Sequence, residues 1–127
     1  MYGHNQYQQA AASTAGPAQL VLMLFDGALI RLEIARDAIG EGRKAAAHES
    51  LVRVQAIVDE LSMSLDLTRG GEVARNLAEI YDYCSRQLLE ANIRKDAALV
   101  ADVEAVLRGV RDAWDDGVVR ATVAVAG

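Results

Sequence analysis

The sequence predicts an all-α fold: an antiparallel up-down four-helix bundle with a mobile N-terminal arm. Three observations carry that expectation. Ala, Leu and Val dominate a chain with a single Pro and only 5% aromatic residues, which is a helix-forming composition. Apolar residues recur at three- and four-residue spacing through four segments of roughly twenty residues. Breaks of about two to five residues separate the segments, and breaks that short join antiparallel neighbours. At 127 residues the chain is long enough for one core without disulfide or metal staples.

Residues 1–16 (MYGHNQYQQAAASTAG) are polar and small, without the periodicity of a buried element, and are expected to form a flexible N-terminal arm. Residues 17–120 are expected to form the bundle. The first helix opens with Gly16 as cap, Pro17 at the first helical position and Gln19 where a capping side chain reaches back. It is expected to run to about Gly40, ended by Gly40-Glu-Gly42. Within it, Leu20 to Ile34 (LVLMLFDGALIRLEI) is apolar or Gly except for Asp26, Arg31 and Glu33. On a helical wheel Leu20, Leu24, Gly27, Ala28, Arg31 and Ile34 share one face, Val21, Phe25 and Leu32 flank it, and Leu22 and Leu29 lie almost opposite. The apolar arc is roughly 220° wide, twice that of an ordinary surface helix, so this helix must be covered on more than one side.

The second helix is expected from Lys44 to Leu67, with Leu51, Val54, Val58, Leu61 and Leu65 as its core stripe. A second, sparser stripe, Val52, Ala56, Met63 and Leu67, lies well round the wheel. Thr68-Arg-Gly-Gly71 is the break. The third helix, about Glu72 to Lys95, should bury Val73, Leu77, Ile80, Tyr81, Cys84, Leu88 and Ala91, while Leu89 and Ile93 point elsewhere. Asp82 and Arg86 are spaced for an ion pair on its surface. Asp96 is a good cap for the fourth helix, about Ala97 to Val119, whose stripe is Leu99, Val103, Val106, Val110 and Trp114 with Val100 and Leu107 beside it. Residues 121–127 (ATVAVAG) lack caps and bulk and are expected to fray.

Composition excludes several functions. A net charge of −5 disfavours nucleic acid and anionic membrane, because binding phosphate needs a basic face. The N-terminus lacks a basic patch followed by an apolar run, so no signal peptide is expected, and Leu20 to Ile34 is too short to span a membrane. The lone Cys84 cannot form an internal disulfide, which fits a cytoplasmic location. No catalytic residues, metal or cofactor are expected. Neither His4 nor His48 completes a Glu-x-x-His pair, there is no Cys/His cluster, and Gly70-Gly71 is a helix break rather than a phosphate loop. Helical bundles also serve as histidine phosphotransfer domains, but Glu49-Ser-Leu51 after His48 offers no cation and Glu49 would repel a phosphoryl group.

Read together, several segments carry a resemblance. Tyr7 lies ten residues before Pro17, and Ser13-Thr-Ala-Gly-Pro17 leads into Leu20-Val-Leu-Met-Leu-Phe-Asp-Gly-Ala28. Gly70-Gly-Glu72, Asn76-Leu77, Tyr81-Asp-Tyr83, Arg86, Leu88 to Asn92 (LLEAN), Asp96 and Asp112-Ala-Trp114 follow in order. Over essentially the whole chain this resembles the flagellar export chaperone FliS family. Gly16 stands where that family usually has Ser or Thr, and Cys84 where it usually has Met.

The resemblance implies a cytoplasmic, non-enzymatic bundle that binds the disordered C-terminal segment of flagellin. It further implies prevention of premature polymerisation and delivery of the cargo to the flagellar type III export gate. The family's arm can fold over a cargo groove when cargo is absent; Tyr7 is expected to dock at the partner-binding site, either as the anchor of that lid or as a direct contact to flagellin. A partner that folds on binding needs a large apolar surface. The positions that the core stripes do not use supply one: Val52, Ala56, Met63 and Leu67 first, then Leu89 and Ile93, with Leu22 and Leu29 lining a groove from the first helix. The plainer readings of these residues are overpacking or a weak homodimer seam.

Overall fold

The computed structural model describes residues 16–115, 117 and 122. Among the described residues four helices follow in chain order: α1 (Pro17–Gly40), α2 (Lys44–Met63), α3 (Gly71–Arg94) and α4 (Ala97–Asp115). α1 packs on α2 and α4, and α3 packs on the same two helices, so the four stand in cyclic order around one core. This is the expected up-down bundle.

The helix ends are made by local chemistry. Pro17 starts α1 at no hydrogen-bonding cost, since its missing N–H has no partner in a first turn; no side chain caps that turn. α1 ends in a Schellman turn: Gly42, at φ +73°, donates to the Ile39 carbonyl, and the Arg43 N–H reaches the Ala38 carbonyl. Between α3 and α4 the left-handed residue is Lys95, whose Nζ bonds the Asn92 carbonyl at 2.6 Å and so holds the turn. Asp96 caps α4 as expected, its Oδ1 accepting from the Ala98 N–H at 2.9 Å.

α2 stops at Met63, four residues before the expected Leu67. The Ser64 hydroxyl donates to the Leu61 carbonyl, and Asp66 folds the chain into a turn by accepting from the Thr68 and Arg69 N–H groups at 3.1 and 3.0 Å. These side chains offer the backbone a better arrangement than another helical turn. The Asp66 N–H donates to the Thr122 carbonyl, and Thr122 is buried, so the tail expected to fray is held at this point. Gly70 is required here, because a Cβ would lie 2.6 Å from that of Ala74 and 2.7 Å from the Asp66 carbonyl oxygen. α4 ends at Asp115 rather than Val119, closed by Gly117 at φ +84° donating to the Trp114 carbonyl.

The core is Phe25 and Leu32 from α1, Leu51, Val54, Val58 and Leu61 from α2, Leu77, Tyr81, Cys84 and Leu88 from α3, and Val100, Val103, Leu107, Val110 and Trp114 from α4. Three helices depart from the expected stripes. The buried face of α1 is Val21, Phe25, Ala28, Leu32, Ala35 and Ala38, about a quarter turn from the face read on the wheel, and Leu20 and Ile34 are exposed. Small alanines sit where the neighbouring helices approach closely, and bulk alone pointed the wrong way. On α3, Ala74 is buried in place of Val73, which is exposed, and Ile80 is only partly buried. On α4, Leu99 and Val106 pack against the edge of the core, while Val100 and Leu107 lie inside it.

Candidate partner-binding site

Three of the four helix seams are crossed by side-chain polar bonds. Asp26 and Arg36 of α1 pair with Arg111 and Glu104 of α4 at 2.6 and 3.2 Å. Tyr83 of α3 donates to Asp102 of α4 at 2.5 Å. Between α2 and α3, Gln55 donates to the Ser85 carbonyl at 3.2 Å and His48 bonds Asn92. His48 Nδ1 lies 3.0 Å from Asn92 Nδ2 and 3.3 Å from Asn92 Oδ1, and Lys95 Nζ donates to the same Oδ1 at 2.8 Å.

The antiparallel register that pairs His48 with Asn92 and Gln55 with Ser85 brings Val52 level with Leu88 and Leu89. There α2 and α3 part into a cleft of about 470 Å³, lined by His48, Leu51, Val52, Gln55, Ala56, Asp59, Leu88, Leu89 and Asn92. Its apolar rim is open: Val52 is 49% and Leu89 60% exposed. Of the residues singled out from the sequence, Val52, Ala56 and Leu89 meet here. Ile93 is exposed just beyond the His48 end of this cleft, one residue past Asn92 on α3. Met63, 74% exposed, and Leu67 lie at the other end of α2, about 16 Å from Val52 along the helix. Leu67 sits in the turn after α2 rather than on its outer stripe.

Leu22 and Leu29 are half-buried and pack against the core edge, because the inward face of α1 is rotated toward them. Leu29 lines a second cleft of about 510 Å³ between α1 and α4, with Asp26, Ile30, Glu33, Arg108, Arg111 and Asp112. A third, of about 360 Å³, lies between α1 and α2 and is lined by Gly27, Arg31, Arg53, Ala56 and Ile57. Ala56 thus borders clefts on both sides of α2. Tyr7 lies outside the described residues. Ile30, which the sequence reading passed over, is exposed on α1. Its signal was available, since Asp26, Glu33 and Asp37 surround it on the wheel and an apolar residue on a polar face must be exposed.

Burial pushes the Cys84 thiol up to about 11, with the Asp102 carboxylate adding to the effect, so it stays protonated and inert at neutral pH. Burial likewise raises the Tyr81 phenol. No group of three or more His, Cys, Asp or Glu side chains suited to a metal occurs among the described residues. No helix among them is long and apolar enough to cross a membrane.

Known proteins place this bundle. The family model for flagellar protein FliS matches residues 1–121. The flagellar secretion chaperone FliS of Salmonella typhimurium is 43% identical over 107 residues, covering 84% of this chain and 79% of its own. That of Bacillus subtilis is 35% identical over 115 residues, covering 91% and 85%. The flagellar secretion chaperone FliSB of Pseudomonas aeruginosa is 36% identical over 119 residues, covering 91% and 94%. In fold, the chain superposes on the crystal structure of a bacterial flagellar chaperone with a TM-score of 0.74 at 16% identity, over 92% of this chain and 98% of that one. These relatives are chaperones, not enzymes, and the chain belongs to the FliS family of flagellar proteins.

Proposed function

We propose that this chain is a cytoplasmic flagellar secretion chaperone that binds the disordered C-terminal segment of flagellin, keeps it from polymerising and hands it to the flagellar export gate. The observation that carries the reading is the α2–α3 cleft, where Val52, Ala56 and Leu89 present apolar surface that the core does not use. Apolar side chains of the cargo fill the cleft, and His48, Gln55 and Asn92 at its edges bond the cargo backbone. Met63, Leu67 and Ile93 extend the same surface toward the two ends of the bundle, so a long segment can wrap it. Ordering that segment costs free energy, and many dispersed contacts offset the cost. The N-terminal arm, anchored by Tyr7, competes for a groove when cargo is absent.

Purified flagellin induced to polymerise, with and without an equimolar amount of this protein, tests the reading by sedimentation. Flagellin should stay in the supernatant when the protein is present, and flagellin truncated at its C-terminal segment should not form the complex. Unimpeded filament growth together with no co-purified complex would remove the chaperone reading.

A further inference from the structure

The α1–α2 cleft differs from its neighbours in what it lacks. Of the ten arginines among the described residues, seven form ion pairs with Asp or Glu, leaving Arg31, Arg53 and Arg75. Two of those three, Arg31 and Arg53, line this one cleft. It is also the seam that no side-chain hydrogen bond or ion pair crosses among the described residues, in a protein whose net charge is −5.

The sequence explains why the charges go unanswered. Arg31 has Gly27 and Ala35 four residues away and Ala28 and Ile34 three away, so its own helix offers no carboxylate. Arg53 has Glu49 one turn before it, but the two make no ion pair. Residues 1–15 contain no Asp or Glu, so the leading segment of the chain has no side chain that could supply the countercharge. The rest of the lining is apolar, Ala56 and Ile57 from α2 with Gly27, which adds no side chain, from α1. Arg31 is half-buried beside this apolar surface, where the lower local dielectric strengthens its pull on a carboxylate, while Arg53 stands exposed on the neighbouring helix.

We propose that this cleft receives an acidic stretch of the cargo segment, with one carboxylate seated between Arg31 and Arg53 and a neighbouring apolar side chain against Ala56 and Ile57. The inference rests on the chaperone reading above and adds to it the charge of the segment that α1 and α2 select. Because Ala56 also borders the α2–α3 cleft, one cargo segment can cross α2 at this residue, acidic on one side and apolar on the other. The arm, lacking carboxylates, is a poor competitor here and leaves the cleft to cargo.

The test is calorimetric titration of the full chain with a flagellin C-terminal fragment at about 50 mM and about 500 mM salt. Three proteins are compared: wild type, the double variant R31Q/R53Q, and R75Q as a control arginine outside the cleft. The double variant should bind roughly ten-fold more weakly at low salt, with the gap mostly closed at high salt, and R75Q should match wild type. Replacing the fragment's acidic residues by their amides should weaken binding to wild type but weaken binding to R31Q/R53Q no further. Equal affinities of R31Q/R53Q and wild type at low salt would overturn the inference while leaving the chaperone reading intact. Absence of binding by wild type would overturn both. A concentration-dependent dimer of the free protein that R31Q/R53Q abolishes would assign the cleft to a second copy and also overturn it.

Discussion

Phe25 of α1 and Trp114 of α4 meet in the core with ring centroids 6.3 Å apart and planes inclined at 54°. A tilted pair at this separation is a favourable arrangement of the ring quadrupoles, which disfavour a face-to-face sandwich. Trp114, 2% exposed, lies in the last turn of α4, so the pair clamps the C-terminal end of that helix onto α1.

Removing that clamp should be costly. Trp114→Ala should destabilise the fold by about 3–5 kcal/mol, most of what a domain this size possesses. Tryptophan fluorescence of the native protein checks the placement independently. Emission should be blue-shifted and should move to long wavelength on unfolding in urea.

Two glycines give opposite predictions. Gly70→Ala drives a Cβ to within 2.6 Å of the Ala74 Cβ and 3.0 Å of the Thr122 Cα, and should cost about 1–3 kcal/mol. Gly109 sits in the middle of α4 with nothing within 4 Å of the added atom. Gly109→Ala should therefore stabilise the protein by roughly 1 kcal/mol through helix propensity. Urea denaturation of both variants reads the signs directly.

Cys84 should not react with a thiol reagent at pH 8 until the protein unfolds, because it is buried and its pKa is raised to about 11. The sign of its linkage follows. The folded state holds the proton more tightly than the unfolded chain, so this contribution is full below the ordinary thiol value of 9.0 and is lost as pH rises from there through about 11. Thermal midpoints measured between pH 8 and 11 should fall more steeply for wild type than for Cys84→Ala.

The rim of the α2–α3 cleft should matter for binding and little for folding. Val52→Ser with Leu89→Ser removes exposed apolar surface, so stability should change by within ~0.5 kcal/mol per site. Affinity for flagellin should fall by at least roughly ten-fold if these side chains are packed by cargo. A collapse of the thermal midpoint with normal binding by the remaining folded protein would identify both residues as core.

Most of the bundle was legible because its signals are local. Pro17, Gly42 and Asp96 mark ends by chemistry within one turn of themselves, and the Asp82–Arg86 pair is present at 3.3 Å. The end of α2 was not legible, because it depends on Asp66 reaching Thr68, Arg69 and Thr122, the last of them 56 residues away. Rotation of α1 was misread for a related reason. An arc of apolar residues that wide fits several orientations, and only packing against α2 and α4 selects one. Among the site residues, Val52 and Ala56 were readable as a stripe on one helix, but their meeting with Leu89 needs the register of two. Arg31 stood out in the sequence as a cation on an apolar face with no carboxylate one turn away, but its meeting with Arg53 needs the packing of α1 on α2.

The central claim is that this bundle holds flagellin by its C-terminal segment, and isothermal titration of flagellin into the full chain measures it most directly. Intact flagellin should bind one to one with a negative heat-capacity change, reflecting burial of apolar surface as the segment folds. Flagellin lacking that segment should release no binding heat. Equal heats and affinities for the two flagellins would contradict the account.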